Sequence, residues 1–458
     1  MIEALLDLAR RRVAGGGEGD GGGADALWRR AERTSVAFEW GRLKSAGATE
    51  ETGINLRVRY RGRVGVAGMT GIVGDDAGTR QAAPLLDRAV ASAELGEELE
   101  LAFPPRAPLP RIPTFFDRAA DASLDELIQL GQGVLERLTR EGCQVNVAIE
   151  REVSETRVAN TAGAEGAYRA TAVGVSADVW RIAGDDVLTV GDEITGADLP
   201  AQRELDGLAQ SMTARLDFAL AIAAPPEGAL PVVFTPAGLS AVLLPITQGL
   251  SGKAVLQGIS PLGKKVGERV FDERFVLTDD PLVPGRVASR PLDDECVPSG
   301  VTCLVERGVV RRFIYDLETA ARARTASTGH GQRGIFGKPV PGYTNLVLGS
   351  RPHDVGAQHA APLQLGGGLL GDLRDGLVVD ELIGVGQGNV IGGAFSHPVA
   401  LAYRVERGEI TGRVKDAAVA GNVYELLGRI AGFGNDARWS GTRFAPSLLL
   451  EGVSVARR

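Results

Sequence analysis

The sequence predicts an α+β protein: an N-terminal α+β region followed by a β-rich C-terminal domain with a curved or barrel-like, mostly antiparallel sheet. Three observations predict it. Glycine is abundant, at 62 residues, where average usage of roughly 7% would give about half that number. No Gly period or Pro/Gly block absorbs the excess, which points to many tight turns. Dipeptides such as Arg61-Gly62, Arg307-Gly308 and Arg407-Gly408 separate apolar runs, and a short hairpin needs a residue that accepts positive φ there. Stripes of helical period fall mainly in the first half, among further β-type segments.

In chain order, Ile2, Leu5, Leu6 and Ala9 make one face of a first helix. Gly15 to Gly23 is expected to be a flexible surface loop. Segments of β type follow at 26–30, 34–40, 54–60 and 63–68, the last two a hairpin around Arg61-Gly62. A helix is expected over 79–93, with Pro84 near its first turns. Five prolines between Phe103 and Thr114 make a linker or strap. Ser123 with Glu126 is a capping box opening a helix that carries Leu124, Leu127, Ile128, Leu135 and Leu138. Alternating β segments run from Gln144 to Val190, and Leu205, Leu208, Met212, Leu216 and Leu220 stripe another helix. These signals divide the chain into 1–102, 103–224 and 225–458, the second boundary at Ala223-Ala224-Pro225-Pro226-Glu227-Gly228.

The last part opens with a buried-type strand, Leu230 to Phe234, and a helix through Leu239, Val242, Leu243 and Ile246. Its densest stretch is Gly392 to Leu427. There Ala400–Glu406 and Glu409–Val414 are expected to pair about Arg407-Gly408. Asn422 then caps a helix expected to carry Val423, Leu426, Leu427 and Ile430. A final apolar strand spans Ser447 to Val455.

The net charge of −8 argues against a sequence-independent nucleic-acid binder, which would carry a basic face. Arg57, Arg59, Arg61 and Arg63 alternate along one hairpin, and the ordinary reading is a solvated strand face. Three cysteines, Cys143, Cys296 and Cys303, make no disulfide framework. No run of about 18 apolar residues is present to cross a membrane, and the N-terminus does not read as a signal peptide. A cytoplasmic protein is expected.

No self-sufficient catalytic constellation emerges. His330, His353, His359 and His397 form no close metal pair on a helix. Asp279-Asp280 and Asp293-Asp294-Glu295 could hold a hard cation, although such clusters are more often turn residues or exposed faces. Beside those acids Cys296 is expected to stay a neutral thiol. Ser396 and His397 are adjacent, and strand neighbours point to opposite faces. Gly384-Val385-Gly386-Gln387-Gly388 is followed by no helix start, so it is no dinucleotide fingerprint.

Several stretches resemble the TldD/PmbA family, specifically its PmbA (TldE) branch. They are Asp293–Gly300, Leu304–Ala320, Ser327–Gly329, Tyr343–Ser350, Gly393–Leu427 and Ala445–Val455. SVAFEWGRLKSA and GINLRVRYRGRVGVAG near the N-terminus are similar too. The resemblance covers nearly the whole chain, more weakly from Phe103 to Pro200.

The TldD branch is a metallopeptidase, with zinc on two histidines of a helical H-E-x-x-x-H and a later cysteine. Aligning Gly249-Leu250-Ser251-Gly252 with the family's G-L-x-G puts Leu243, Leu244 and Gln248 at those helical positions. A slip of two residues puts Pro245, Ile246 and Leu250 there instead. Neither set holds zinc, and no cysteine follows Cys303. The resemblance therefore implies a chain with no catalytic residue and no cofactor of its own. It would be a subunit of a peptidase acting on small or unfolded polypeptides, with zinc on a TldD-like partner. Partners would be that subunit or a second copy of this chain, and an extended peptide added to a strand edge. Ser396, His397, Asn345 and Arg404 are the expected peptide or interface contacts. The alternatives are an independent hydrolase using His397 or Cys296, and a regulatory binding protein.

Overall fold

The computed structural model describes residues 2–14, 22–71, 75–349 and 365–458. Strand makes up 42% and helix 23%, which is the β-rich α+β composition expected. The Gly-rich stretch up to Gly21, and both His353 and His359, lie outside the described residues.

Six antiparallel strands form the N-terminal sheet: β1 (Gly23–Glu39), β2 (Arg42–Tyr60), β3 (Arg63–Thr70), β4 (Cys143–Asn160), β5 (Glu165–Ala183) and β6 (Asp186–Gly196). Their order is β3-β2-β1-β4-β5-β6. The two short β segments expected at 26–30 and 34–40 are one strand, β1. β1 pairs with β4 along Asp25–Phe38, so the boundary expected at residue 102 falls inside a single sheet. The turn between β1 and β2 is Trp40-Gly41, with φ of 52° and 75°. Both central residues are left-handed there, as a two-residue hairpin turn demands.

Period-two alternation gives this sheet two unlike faces. One face is apolar. Ala24, Ala26, Ile54, Leu56 and Val58 meet α1 (Ile2–Ala14) and α2 (Asp75–Glu94). Further along, Val36, Phe38, Val147 and Ile149 meet α3 (Asp117–Ala120), α4 (Leu124–Leu138) and α5 (Gln202–Leu220). Ser123 caps α4, and Glu126 returns the bond to the Ser123 amide at 2.7 Å. Each fully buried leucine of α4, such as Leu127, contributes about 1.5–3 kcal/mol. α2 starts at Asp75, so Pro84 sits in its middle and not near its first turns. The opposite face of the sheet is polar and carries Asp25, Arg29, Asn55 and Arg57.

In the C-terminal half five strands close a barrel. Around it run Gly376–Leu382, Gly228–Phe234, Leu448–Arg457, Ala417–Asn422 and Ala394–Glu406, which pairs again with Gly376–Leu382. Four contacts are antiparallel, and Gly376–Leu382 runs parallel to Gly228–Phe234. An odd number of strands cannot alternate direction all the way round, so one parallel contact is required. The short strand Ile222–Ala223 pairs with Arg413–Val414. A second sheet, from Val309–Val310 to Arg438–Ser440, packs beside the barrel over one apolar core. Asn422 caps its helix as expected, but the helix is only Val423–Leu426, and Ile430 belongs to a strand.

Candidate functional site

The helix at the metal positions of the resemblance follows directly from a barrel strand. After Phe234 the chain turns through Gly238, where a Cβ would meet the Val379 carbonyl oxygen at 2.4 Å. Only glycine permits that approach. α6 (Ser240–Gly249) then packs Val242, Leu243 and Ile246 into the C-terminal core. Leu244 is half-buried and Gln248 is exposed. Pro245, Ile246 and Leu250, the alternative alignment, are all buried.

The loop after Leu382 lies against this helix. The Tyr424 hydroxyl is 3.0 Å from the Ile391 carbonyl and 3.2 Å from that of Pro245, so it ties loop to helix. Burial raises its pKa to about 12. Ser396 and His397 stand on the adjoining strand, opposite Ala420 and Val419. Ser396 is exposed. His397 is half-buried and stacks on Phe395, the ring centroids 6.0 Å apart. Burial lowers the imidazole pKa, and a hydrogen bond with the Ile383 backbone opposes that in part.

The other two expected contacts lie elsewhere. Asn345 is fully buried, its amide donating to the Asp280 carbonyl at 2.8 Å and to Ser289 Oγ at 2.9 Å. Arg404 donates to the Gly376 carbonyl at 3.1 Å and pairs with Glu406. Thus the fold brings Ser396 and His397 to the loop beside α6, and places Asn345 and Arg404 apart from them.

The acid clusters are not exposed faces, although Asp294 and Glu295 do sit in a turn. Asp279, Asp280, Asp293 and Glu295 are all buried. Glu295 accepts from Arg57 Nη1 at 2.6 Å and from the Leu317 amide at 2.7 Å. Arg57 also donates to both oxygens of Asp25, and Arg333 reaches Asp25 at 2.8 Å. The solvated strand face expected for Arg57 is therefore a buried ion-pair chain, Arg333–Asp25–Arg57–Glu295. Asp293 accepts three backbone amides, from Glu295, Val297 and Gly331. The Asp279 carboxylate meets His330 Nε2 at 3.0 Å and Thr344 Oγ1 at 2.6 Å.

Burial sets the titration of this cluster. It pushes Glu295 up to about 8, against Arg57 and with help from Asp293, Asp316 and Asp25. Asp293 rises to about 6 for the same first reason. Asp25 is buried too, yet Arg333 and Arg57 outweigh that and hold it below the ordinary carboxylate range. Cys296 has φ of 67° and is buried, and burial pushes its thiol well above the usual range. A neutral, enclosed thiol is a poor nucleophile.

Comparison with known proteins follows the same lines. A family model described as the PmbA/TldA metallopeptidase C-terminal domain matches residues 227–457. The chain belongs to the PmbA/TldD family. A metalloprotease of Methanothermobacter thermautotrophicus is 32% identical over 216 residues, covering 47% of this chain and 44% of that one. The chain spans less than half the length of the first relatives it matches. A metalloprotease of Archaeoglobus fulgidus is similar over more, 26% identical across 87% of this chain and 89% of its own. Among solved structures, TldE from Thermococcus kodakarensis superposes with a TM-score of 0.84, covering 99% of this chain and 100% of that one. A Thermotoga maritima protein described as a putative modulator of DNA gyrase gives 0.83, with 99% of each chain covered. Both are 22% identical, so the likeness is one of fold.

Membership of a metallopeptidase family raises the question of zinc. In this PmbA/TldD chain the residues on α6 do not fit the ion. Leu243 and Leu244 have no donor atom, Leu243 lies in the core, and Gln248 offers one amide. Among the described residues no three His, Cys, Asp or Glu side chains are grouped to hold a metal.

Proposed function

We propose that the chain is a non-catalytic PmbA/TldE-like subunit of a cytoplasmic zinc peptidase of the TldD/TldE kind. In this reading it helps degrade or process small or unfolded polypeptides only beside a TldD-like partner that carries the zinc. The observation that carries the reading is the donor set of α6: two leucines and a glutamine on a scaffold of a metallopeptidase family. Such a subunit would contribute shape. Ser396 and His397, at the loop beside α6, are then the first candidates for peptide contact. Asn345 would act only from within, by holding the Asp280 and Ser289 loop. A main-chain mode of peptide binding would tolerate many sequences.

The test is to measure zinc content and hydrolysis of an unfolded polypeptide by the purified chain, alone and mixed with a subunit bearing H-E-x-x-x-H. The reading expects no stoichiometric zinc and no activity alone, and activity in the mixture that depends on the partner's metal. Stoichiometric zinc with activity in the isolated chain would overturn it.

A further inference from the structure

We infer that the free edge of β2 is a self-complementary interface, along which a second copy of this chain adds its own β2 in antiparallel pairing about a two-fold axis at Gly47. β2 is 19 residues long, but β3 covers its outer edge only along Gly53–Tyr60. On its inner edge β1 pairs with it as far as Arg42. Among the described residues no strand lies against the outer edge of 42–52, and residues 42–51 are all exposed. An open strand edge is a template for another strand.

The backbone groups that such a strand needs point outward. The Thr52 carbonyl accepts from the Gly71 amide at 2.9 Å, so Thr52 faces the outer edge. β2 keeps an unbroken register with β1 from Ser45 to Arg59. Alternation then turns the amides and carbonyls of Ala46, Ala48 and Glu50 outward as well. Ser45-Ala46-Gly47-Ala48-Thr49 carries only small side chains, and a Cβ at Gly47 would meet nothing within 4 Å. Two backbones can therefore close to strand spacing along this stretch.

The charges choose the occupant. Two-fold pairing centred on Gly47 sets Ala46 of one copy opposite Ala48 of the other, Ser45 opposite Thr49, and Lys44 opposite Glu50. The axis repeats each contact, so Lys44 and Glu50 make two opposite-charge pairs. Within one copy Glu50 is held by Arg30 at 2.7 Å, and Lys44 lies 3.3 Å from Glu39. Pairing joins these into a row of alternating sign across both copies, Arg30 and Glu50 of one meeting Lys44 and Glu39 of the other. A peptide of arbitrary sequence would find the same backbone groups but not that match. The interface uses no residue of α6, so it goes beyond the peptidase reading and does not depend on it.

Sedimentation equilibrium of the full chain tests this, and a reversible dimer is expected. Ala48→Pro removes an outward amide that β1 does not use, and should weaken the dimer about tenfold or more. Lys44→Glu sets carboxylates opposite each other and should weaken it about fivefold, and adding Glu50→Lys should restore it. Residues on the axis face each other about 4.5–5.5 Å apart, within disulfide reach. Mild oxidation should therefore link Gly47→Cys into a covalent dimer, and leave Leu43→Cys, displaced from the axis, as unlinked as wild type. The charge and cysteine variants decide the matter even if Ala48→Pro does not fold. A chain that stays monomeric, a dimer indifferent to Ala48→Pro and Lys44→Glu, or linking of Leu43→Cys as readily as Gly47→Cys would each overturn the inference.

Discussion

Arg57 and Glu295 stand 238 residues apart in the chain and meet through a 2.6 Å ion pair with both side chains buried. Arg57 lies on β2 of the N-terminal sheet, and Glu295 lies in a loop of the C-terminal half. The pair therefore fastens one half of the molecule to the other. Asn55 adds to the joint, its amide donating to the Ile335 carbonyl at 2.9 Å and to that of Gly337 at 3.1 Å.

Removing one charge of such a chain leaves others unpaired in a low-dielectric interior. Above about pH 8, where Glu295 is ionised, Arg57→Met strands Glu295 and leaves Asp25 to Arg333 alone. The expected loss is about 3–5 kcal/mol of unfolding free energy. Replacing Arg57 and Glu295 together by leucine should cost less than Arg57→Met. Denaturant unfolding of the three proteins measures it, and a double variant that loses as much as Arg57→Met or more would refute the expectation.

The same cluster predicts a pH dependence with a definite sign. Glu295 and Asp293 titrate higher in the folded chain than in the unfolded one, because burial disfavours their charged forms. The folded state then holds protons that the unfolded state has released. Their contribution to stability is full below the ordinary carboxylate range and is lost as pH rises, for Glu295 through about 8. Asp25 has the opposite sign, being depressed, so its contribution is lost only in acid. Thermal unfolding of wild type and Glu295→Gln between neutral and mildly alkaline pH should show the wild type falling relative to the variant. A constant difference across that range would refute the assignment.

Local features of this fold were legible in sequence because they depend on near neighbours. The Ser123–Glu126 box, the Asn422 cap and the Arg-Gly turns each draw on a few adjacent residues. The Trp40-Gly41 turn has the same kind of glycine, but residues 42–51 of the strand after it are exposed throughout, so no apolar run marked a hairpin there. Closure of the barrel depends on Gly376–Leu382 meeting both Gly228–Phe234 and Ala394–Glu406, and no local pattern encodes that. Burial of Asp293 and Glu295 was hidden for a similar reason. A run of acids looks solvent-exposed until its guanidinium partner arrives from the other half of the chain. The side chains on α6 were legible as poor ligands from their chemistry alone, but that Leu243 lies in the core came only from the packing.

Restoring donors to α6 should cost stability and give no zinc centre. Leu243 is buried among Val242, Ile246 and their neighbours, so a histidine there places a polar ring in an apolar core. For Leu243→His/Leu244→Glu/Gln248→His the expected loss is about 2–4 kcal/mol, most of it from Leu243→His. Elemental analysis and denaturant unfolding check both parts. A folded triple variant of unchanged stability that holds stoichiometric zinc would show that α6 keeps a latent metal geometry.

Two hairpin glycines separate backbone strain from steric fit. Gly41 and Gly308 have nearly equal φ, 75° and 74°. Any L-residue pays the same left-handed penalty at either site, about 1–2 kcal/mol. Their surroundings differ. A Cβ at Gly41 meets nothing within 4 Å, whereas at Gly308 it lies 2.1 Å from the Phe271 carbonyl oxygen and 2.6 Å from that of Asp272. The Gly308 amide also donates to the Phe275 carbonyl at 2.8 Å, and its own carbonyl accepts from Val270 and Phe271. The turn therefore cannot move aside without breaking the bonds that hold the 270–275 segment. Gly41→Ala should cost only the backbone penalty, and Gly308→Ala at least about 2 kcal/mol more. Unfolding curves for the two variants give the difference directly, and equal losses would mean that the backbone at 271–272 yields freely.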